Sequence, residues 1–361
     1  MMPIEIERQA NHRSVPEPSI QVTTSSPKSQ RIPALDFTKG ALVLLMVLYH
    51  WVNYFIGNQW GYYRYLRFLT PSFIFITGFM ISNVYLSKYA AADARLSKRL
   101  FTRGLKLMAI FLALNVARSL LVPVLGTGEA IRNLASVRNV FTIFVSGNLP
   151  VVGSKLVSFW ILVPISYVLM LSGVLMLPYR LYKRTFHLTC GLILLSILVL
   201  GLIGGQSYNL EFIAIGMLGV LGGFMPVGRV NDFGRHPYAI AFAYACYVVA
   251  ITIWNVPLPL LIAGVLLNLM VLYVAGTNAR ESSALVAEVI LLGKYSLLGY
   301  ISQVAILQVL SVVFRRIDRG FLVLPISFLA AFILTIMSVE IVDRARAASA
   351  SVDGLYRVVF A

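Results

Sequence analysis

The sequence predicts an all-α protein: a polytopic integral membrane helix bundle of about ten transmembrane helices, both termini cytoplasmic. Three observations carry that expectation. Hydrophobic residues fill 59% of the 361 positions and charged residues only 12%, where a soluble domain carries about a quarter charged. Mean hydropathy is +0.83. The apolar residues are also gathered into runs near the roughly 20 residues that a helix needs to cross a bilayer. The same figures exclude an ordinary soluble enzyme and a wholly disordered chain, which needs low hydrophobicity and high net charge.

Residues 1–30 are polar and rich in Pro, Ser and Thr. They read as a disordered cytoplasmic tail and, with no apolar stretch behind a basic start, not as a signal peptide. Apolar runs follow at 37–57, 67–87, 103–125, 156–178, 187–205, 209–227, 236–254, 256–276, 286–313 and 321–343. The ninth is broken near Gly293-Lys294, which divides it into a half-helix over 284–292 and a longer piece over 294–313. Asn255-Val256-Pro257 makes a tight turn between the seventh and eighth. The segment 126–155 is the one long connection on the outer side, either a lid or a simple cap on the helices. Residues 344–361 carry Leu355, Tyr356, Val358, Val359 and Phe360 and read as a tail lying on headgroups. The expected organisation is therefore a tail over 1–30, a membrane domain over 31–343 and an interfacial tail over 344–361.

The formal net charge is +16. Lys and Arg concentrate on one side of this topology, around 88–106, 180–184 and 344–357, which marks that side as cytoplasmic and lets it meet anionic membrane lipids. Arg315-Arg316 fall on the other side, against the rule. No nucleic-acid partner is expected, because no exposed domain carries a basic patch. Cys190 and Cys246 both lie in apolar runs and read as buried thiols, with neither a disulfide framework nor a metal site.

The first span is the most informative stretch. Lys39 and His50 are eleven residues apart, which at about 100° per residue is three turns plus roughly 20°. They share a helix face. Asp36 precedes Lys39 by three residues and Asn53 follows His50 by three, so that face reads Asp36, Lys39, Val43, Met46, His50, Asn53. Ionisable groups inside a bilayer are costly and turn toward a cavity or a partner. The stripe is therefore expected to look into the bundle. The rise from Lys39 to His50 is about 16 Å, which sets Lys39 near the cytoplasmic surface and His50 near or past the midplane. A neutral imidazole at that depth suits a general base, because its pKa lies close to working pH. A lone buried His is otherwise a hydrogen-bonded helix contact; the company of Lys39 and Asp36 favours chemistry.

Arg31-x3-Leu35-Asp36-x2-Lys39-Gly40 followed by x9-His50 resembles the start of the transmembrane acyltransferase superfamily. That group includes the acyltransferase type 3 enzymes and the heparan-α-glucosaminide N-acetyltransferase-like proteins. The second span, Arg67-Phe-Leu-Thr70-Pro71-Ser72-Phe73-Ile-Phe75-Ile-Thr-Gly78-Phe79, is similar to the family's Pro-x-Phe-x-Phe-x-x-Gly helix and closer to the second branch. Lys98-Arg99-Leu-Phe-Thr-Arg103 resembles the family's cytoplasmic basic segment. Leu292-Gly293-Lys294-Tyr295-Ser296-Leu297-Leu-Gly-Tyr300 resembles its late Gly-Lys/Arg-x-Ser-Leu-x-x-Tyr stretch. Many type 3 members carry a Glu shortly after a mid-chain Trp. Phe159-Trp160-Ile161-Leu162-Val163-Pro164 has none, a departure from the O-acetyl-sugar subfamily.

The resemblance implies transfer of an acyl group, acetyl as the first expectation. The donor is cytoplasmic acyl-CoA. The acceptor is a hydroxyl or amine of a cell-envelope glycan, a lipid-linked sugar or another molecule beyond a bacterial cytoplasmic membrane. His50 would be general base or acyl carrier, with Lys39, Asp36 and Asn53 around it. Arg99, Arg103 and Lys106 offer charge to the phosphates of CoA, or else only set topology. Arg67, Glu211, Lys294 and Tyr300 are candidates for substrate binding. Glu211 reads equally as an interfacial cap, and Lys294 as a snorkelling side chain. No metal and no tightly bound cofactor is implied; acyl-CoA is a co-substrate. The alternative is a secondary transporter or flippase with Lys39, His50 and Lys294 as a proton or anion pathway, against which stands the lack of a visible inverted repeat.

Overall fold

The computed structural model describes residues 32–57, 60–86, 94–121, 141–147, 159–179, 185–203, 207–254, 257–280, 282–316 and 322–360, and among these the regular structure is entirely helical. The expected tail over 1–30 and most of the 126–155 connection lie outside the described residues. So do Arg132, Arg138, Lys155, Arg180, Lys183, Arg184 and Arg319 from the charge count.

The first helix, α1 (Pro33–Trp51), starts with Pro at its first turn and carries Asp36 there. Pro needs no hydrogen-bonded N–H at that position, and a carboxylate favours the positive end of the helix dipole. A π-helical turn, Val52–Ile56, continues it. The chain goes on through α2 (Trp60–Leu66), α3 (Leu69–Met80) with a second π-turn over Ile81–Leu86, and α4 (Ala94–Leu121). After a short π-turn at Thr142–Ser146 come α5 (Leu162–Tyr179), α6 (Thr185–Leu202), α7 (Tyr208–Gly222), α8 (Val227–Gly234) and α9 (Pro237–Ile253). The last are α10 (Leu258–Asn278), α11 (Ala284–Lys294), α12 (Ser296–Arg316), α13 (Val323–Ala348) and α14 (Ala350–Phe360).

A helix stands at every stretch where the apolar runs predict one, but the helices are not equal. Among the described residues, six are long and apolar enough to cross a membrane: 33–56, 63–86, 95–118, 258–278, 296–314 and 323–348. A seventh span is formed if α8 and α9, bent by 77° at their junction, count as one. Three shorter apolar helices, 162–176, 186–201 and 208–222, occupy the places of the other runs. The predicted set of about ten equal spans is thus corrected to six or seven full-length spans plus short ones. Glycines and prolines end the short helices before the apolar run is exhausted, as at Gly223 and Pro226 after α7. The ninth run is indeed divided. Its break is at Tyr295, whose N–H bonds Leu291 O at 3.2 Å while its own carbonyl receives Gly299 N–H at 2.8 Å.

Helix α1 is the hub, packed against α3, α10, α11, α12 and α13. Against α11 the backbones nearly touch. A Cβ on Gly40 would lie 1.8 Å from Val289 O, and one on Gly293 would lie 1.7 Å from Asp36 O. Helices α3 and α7 meet in the same way through Gly78, Gly216 and Gly219. Close approach through small residues suits helices in lipid, where association rests on van der Waals contact rather than water exclusion. The outward faces are apolar, as with Leu188, Leu192 and Leu195 on α6. Cys190 is buried there, whereas Cys246 on α9 is exposed, because it falls on the outward face of its helix.

The turn at Thr142–Ser146 caps the start of α7: Asn209 Nδ2 donates to Ile143 O at 3.0 Å, and Ser207 Oγ donates to Ser146 O at 2.9 Å. The C-terminal tail is also more structured than an interfacial ribbon. Arg346 pairs with Asp353 at 2.6 Å and lies 4.0 Å over the Tyr356 ring. It donates to the Tyr295 hydroxyl at 2.9 Å, which in turn donates to Asp343 Oδ1. Leu355 and Val358 stay exposed, while Tyr356, Val359 and Phe360 turn inward.

Candidate active site

The polar stripe of α1 does face the interior. Lys39 Nζ stands 2.6 Å from Asp36 Oδ1, and the two side chains are only 15% and 12% exposed. A pair three residues apart on one helix is neighbourly by geometry. Here it sits against α11, where Gly293 lets the Asp36 backbone come close. Val43 and Met46, on the same stripe, are buried.

Three turns on, His50 keeps its Nε2 shut away from solvent with no hydrogen-bond partner among the described residues. Its ring lies 5.0 Å from Tyr49 in an edge-on arrangement and 6.3 Å from the ring of Tyr300 on α12. The Tyr49 hydroxyl donates to the Tyr63 hydroxyl and is also bonded by the Asn53 side chain. Asn53 therefore steadies Tyr49, the aromatic neighbour of His50. A buried nitrogen that could bond and does not is costly, and native proteins keep few of them. It marks a place where a partner is supplied from outside.

Between α1, α3, α4, α5, α12 and α14 lies a cavity of about 220 Å³. Lys39, Arg103 and Lys106 line it, together with Tyr85, Ser296 and Tyr300; Val359 and Phe360 close one side. The Arg103 guanidinium stands 5.4 Å above the Tyr85 ring, a cation–π contact that fixes its plane. No carboxylate is among the described residues that line the space, and the neighbouring Asp36 balances one of the three cations. The cavity is built for an anion. Its walls of Phe73, Ile76, Leu162 and Ile165 are apolar, so the anion would carry an apolar extension.

Of the residues predicted for the site, Lys39, Arg103, Lys106 and Tyr300 thus meet at one cavity, and His50 sits beside it across the Tyr300 ring. Arg99 is exposed one turn before Arg103, and Lys294 is exposed at the end of α11; neither lines the cavity. Arg67 and Glu211 form a separate electrostatic neighbourhood that Tyr247 joins. An aromatic path links the two regions: Tyr300 to Phe159 at 6.3 Å, then Trp160 to Phe212 at 5.2 Å, with Glu211 next in sequence. Phe159 holds φ +64. That left-handed conformation is rare for an aromatic residue and costs of order 1–3 kcal/mol, and packing keeps it, since Phe159 is buried.

Sequence reasoning missed Tyr63, the Phe159–Trp160 corner and the two residues Val359 and Phe360. The first two meet the site only through long-range packing. The inward side of α14 was legible in principle, since Tyr356, Val359 and Phe360 recur at helical spacing.

Residues 31–127 match the family model described as heparan-alpha-glucosaminide N-acetyltransferase, catalytic. The match points to a membrane-bound acetyltransferase, a family whose donor is acetyl-CoA. It contains Asp36, Lys39, His50, Asn53, Arg67, Arg99, Arg103 and Lys106, while Glu211, Lys294 and Tyr300 lie beyond it. No curated protein and no solved structure matches the chain.

Proposed function

We propose that the protein is an integral-membrane acyltransferase that moves an acetyl group from acetyl-CoA to a hydroxyl or amine of a cell-envelope glycan or another acceptor on the opposite face. The observation that carries this reading is the cavity: three cations against one nearby carboxylate, apolar walls, and at its inner end Tyr300 with the unpartnered His50 Nε2 beyond. Phosphates of CoA pair with Lys39, Arg103 and Lys106, charge-assisted contacts that hold the donor. The pantetheine arm lies along the apolar walls and brings the thioester toward Tyr300. His50 Nε2 takes the proton of the attacking acceptor. Asp36 keeps Lys39 in place, and Asn53 through Tyr49 keeps the imidazole in place. Arg67 and Glu211 bind the acceptor, at the far end of the aromatic path.

The transport alternative needs Lys294 in line with Lys39 and His50, but Lys294 is exposed and away from the cavity. The deciding experiment is thiol release from acetyl-CoA by the full chain in lipid nanodiscs, with a cell-envelope glycan extract as acceptor and His50→Ala beside it. Release by the wild type and silence of the variant support the reading. Absence of both binding and turnover in the wild type sinks it.

A further inference from the structure

Gln303 lies on α12, three residues after Tyr300, and is 0% exposed. Neither its amide oxygen nor its amide nitrogen has a hydrogen-bond partner among the described residues. An amide that leaves both ends unsatisfied in a low-dielectric interior is a heavy cost. A Leu of similar size would remove it. Retention of the amide calls for a ligand that uses it.

The register of α12 against α1 tells where Gln303 stands. Gly299 packs on Val43, its ideal Cβ 3.1 Å from Val43 Cγ1. Leu307 belongs to one buried cluster with Val47 and Trp51. Gln303 is midway between Gly299 and Leu307 and on the same helix row, because steps of four residues turn a helix by about 40°. It is therefore level with Val47, within about one 5.4 Å turn of His50. Side chains on a helix lean toward its N-terminus, which brings the imidazole back toward that level. Ser296, Tyr300 and Gln303 form one polar face of α12, of which Ser296 and Tyr300 already line the cavity. Two polar stripes, one from α1 and one from α12, converge where His50 has its unpartnered nitrogen.

We propose that Gln303 donates its amide N–H to the carbonyl oxygen of the thioester, and is the group that stabilises the oxyanion formed there. This rests on the acetyltransferase reading and adds a residue and a role to it. The acceptor's nitrogen or oxygen forms a bond to the thioester carbon and its proton passes to His50 Nε2. The carbonyl π pair moves onto oxygen, where Gln303 holds it. When the C=O re-forms, the C–S bond breaks, and the CoA sulfur takes the proton from the imidazolium. The products are the acetylated acceptor and CoA thiol. A donor aimed at charge that appears only in the transition state accelerates the step without tightening donor binding.

The test compares wild type, Gln303→Leu, His50→Ala and the double variant, each full-length in nanodiscs. Gln303→Leu is expected to bind acetyl-CoA within about twofold of wild type, lose roughly 10²–10³-fold in kcat, and unfold at a higher temperature without donor. In His50→Ala, the infrared band of bound carbonyl-labelled acetyl-CoA is expected at lower wavenumber than free donor, and the shift vanishes in the double variant. Wild-type kcat in Gln303→Leu, or an unchanged carbonyl band, overturns the proposal while leaving the acetyltransferase reading intact. A wild type that neither binds nor turns over acetyl-CoA overturns both. A Gln303→Leu protein that loses binding and thermal stability together shows a structural role and overturns the proposal alone.

Discussion

Gly293 rests against the carbonyl of Asp36 so closely that a methyl group in place of its hydrogen would lie 1.7 Å from the oxygen. One contact thus joins the helix that carries the Lys39 ion pair to the break that starts α12. Gly293→Ala must push α11 away from α1. Overpacking of this kind costs about 1–3 kcal/mol. The expected result is a lower unfolding temperature and weaker acetyl-CoA binding, since Lys39 shifts with Asp36. Differential scanning fluorimetry and isothermal titration on the same sample check both.

Lys39 and Asp36 should respond in opposite directions. Lys39→Met removes a cavity cation and is expected to raise the acetyl-CoA Kd about ten- to a hundredfold, the range for a charge-assisted hydrogen bond. Asp36→Asn removes the counter-charge and leaves Lys39 free to meet phosphate, so affinity holds or rises. Titration with CoA and dephospho-CoA at two salt concentrations measures this. Equal weakening by both variants would mean that the pair only supports the fold.

Phe159 offers a test of backbone strain. Phe159→Ala keeps the left-handed conformation and loses the ring, at about 3–5 kcal/mol for a buried Phe. Phe159→Gly loses the same ring but is at ease at positive φ. The glycine variant is therefore expected to be no less stable than the alanine one, the reverse of the usual order in a helix-rich protein. Urea or thermal unfolding of the pair decides it.

The docking of α14 has a predictable pH dependence. Arg346, by its hydrogen bond, holds the Asp353 carboxyl below the ordinary carboxylate range. A depressed folded-state pKa means that the contribution is complete above the ordinary value of about 4 and is lost only as pH falls through the lowered one. Mild acidification to pH 5 should leave α14 in place, whereas Asp353→Asn should loosen it at every pH. Because Val359 and Phe360 wall the cavity, loosening is expected to raise the KM for acetyl-CoA several-fold. Protease cleavage near the C-terminus, followed from pH 7 to pH 3, reports the docking directly.

The α1 stripe was legible because a single helix with a fixed period puts Asp36, Lys39 and His50 on one face, whatever surrounds them. Arg103 and Lys106 were legible for the same reason, one helical turn apart. Lys294 was misleading. A charge inside an apolar run looks buried in one dimension, but the break at Tyr295 makes Lys294 the last residue of α11, where its side chain reaches the surface. Gln303 is visible in the sequence as a polar residue in a span. Its lack of partners is a property of packing between α1 and α12 that no local pattern encodes. The unequal helix lengths escape the hydropathy pattern because it measures how apolar a stretch is, not where its backbone stops being helical.

The π-turn at Val52–Ile56, directly after His50, closes with Gly57 N–H on Val52 O. Such a turn amounts to one extra residue in an α-helix. Deleting a single residue there would restore a regular helix and swing everything beyond it by about 100°. Asn53 and Tyr54 would then exchange the faces they present, while Asp36, Lys39 and His50 stayed where they are. Chain length at this one place thus acts as a rotary setting for the outer half of the site, adjustable without touching the half that would hold the donor.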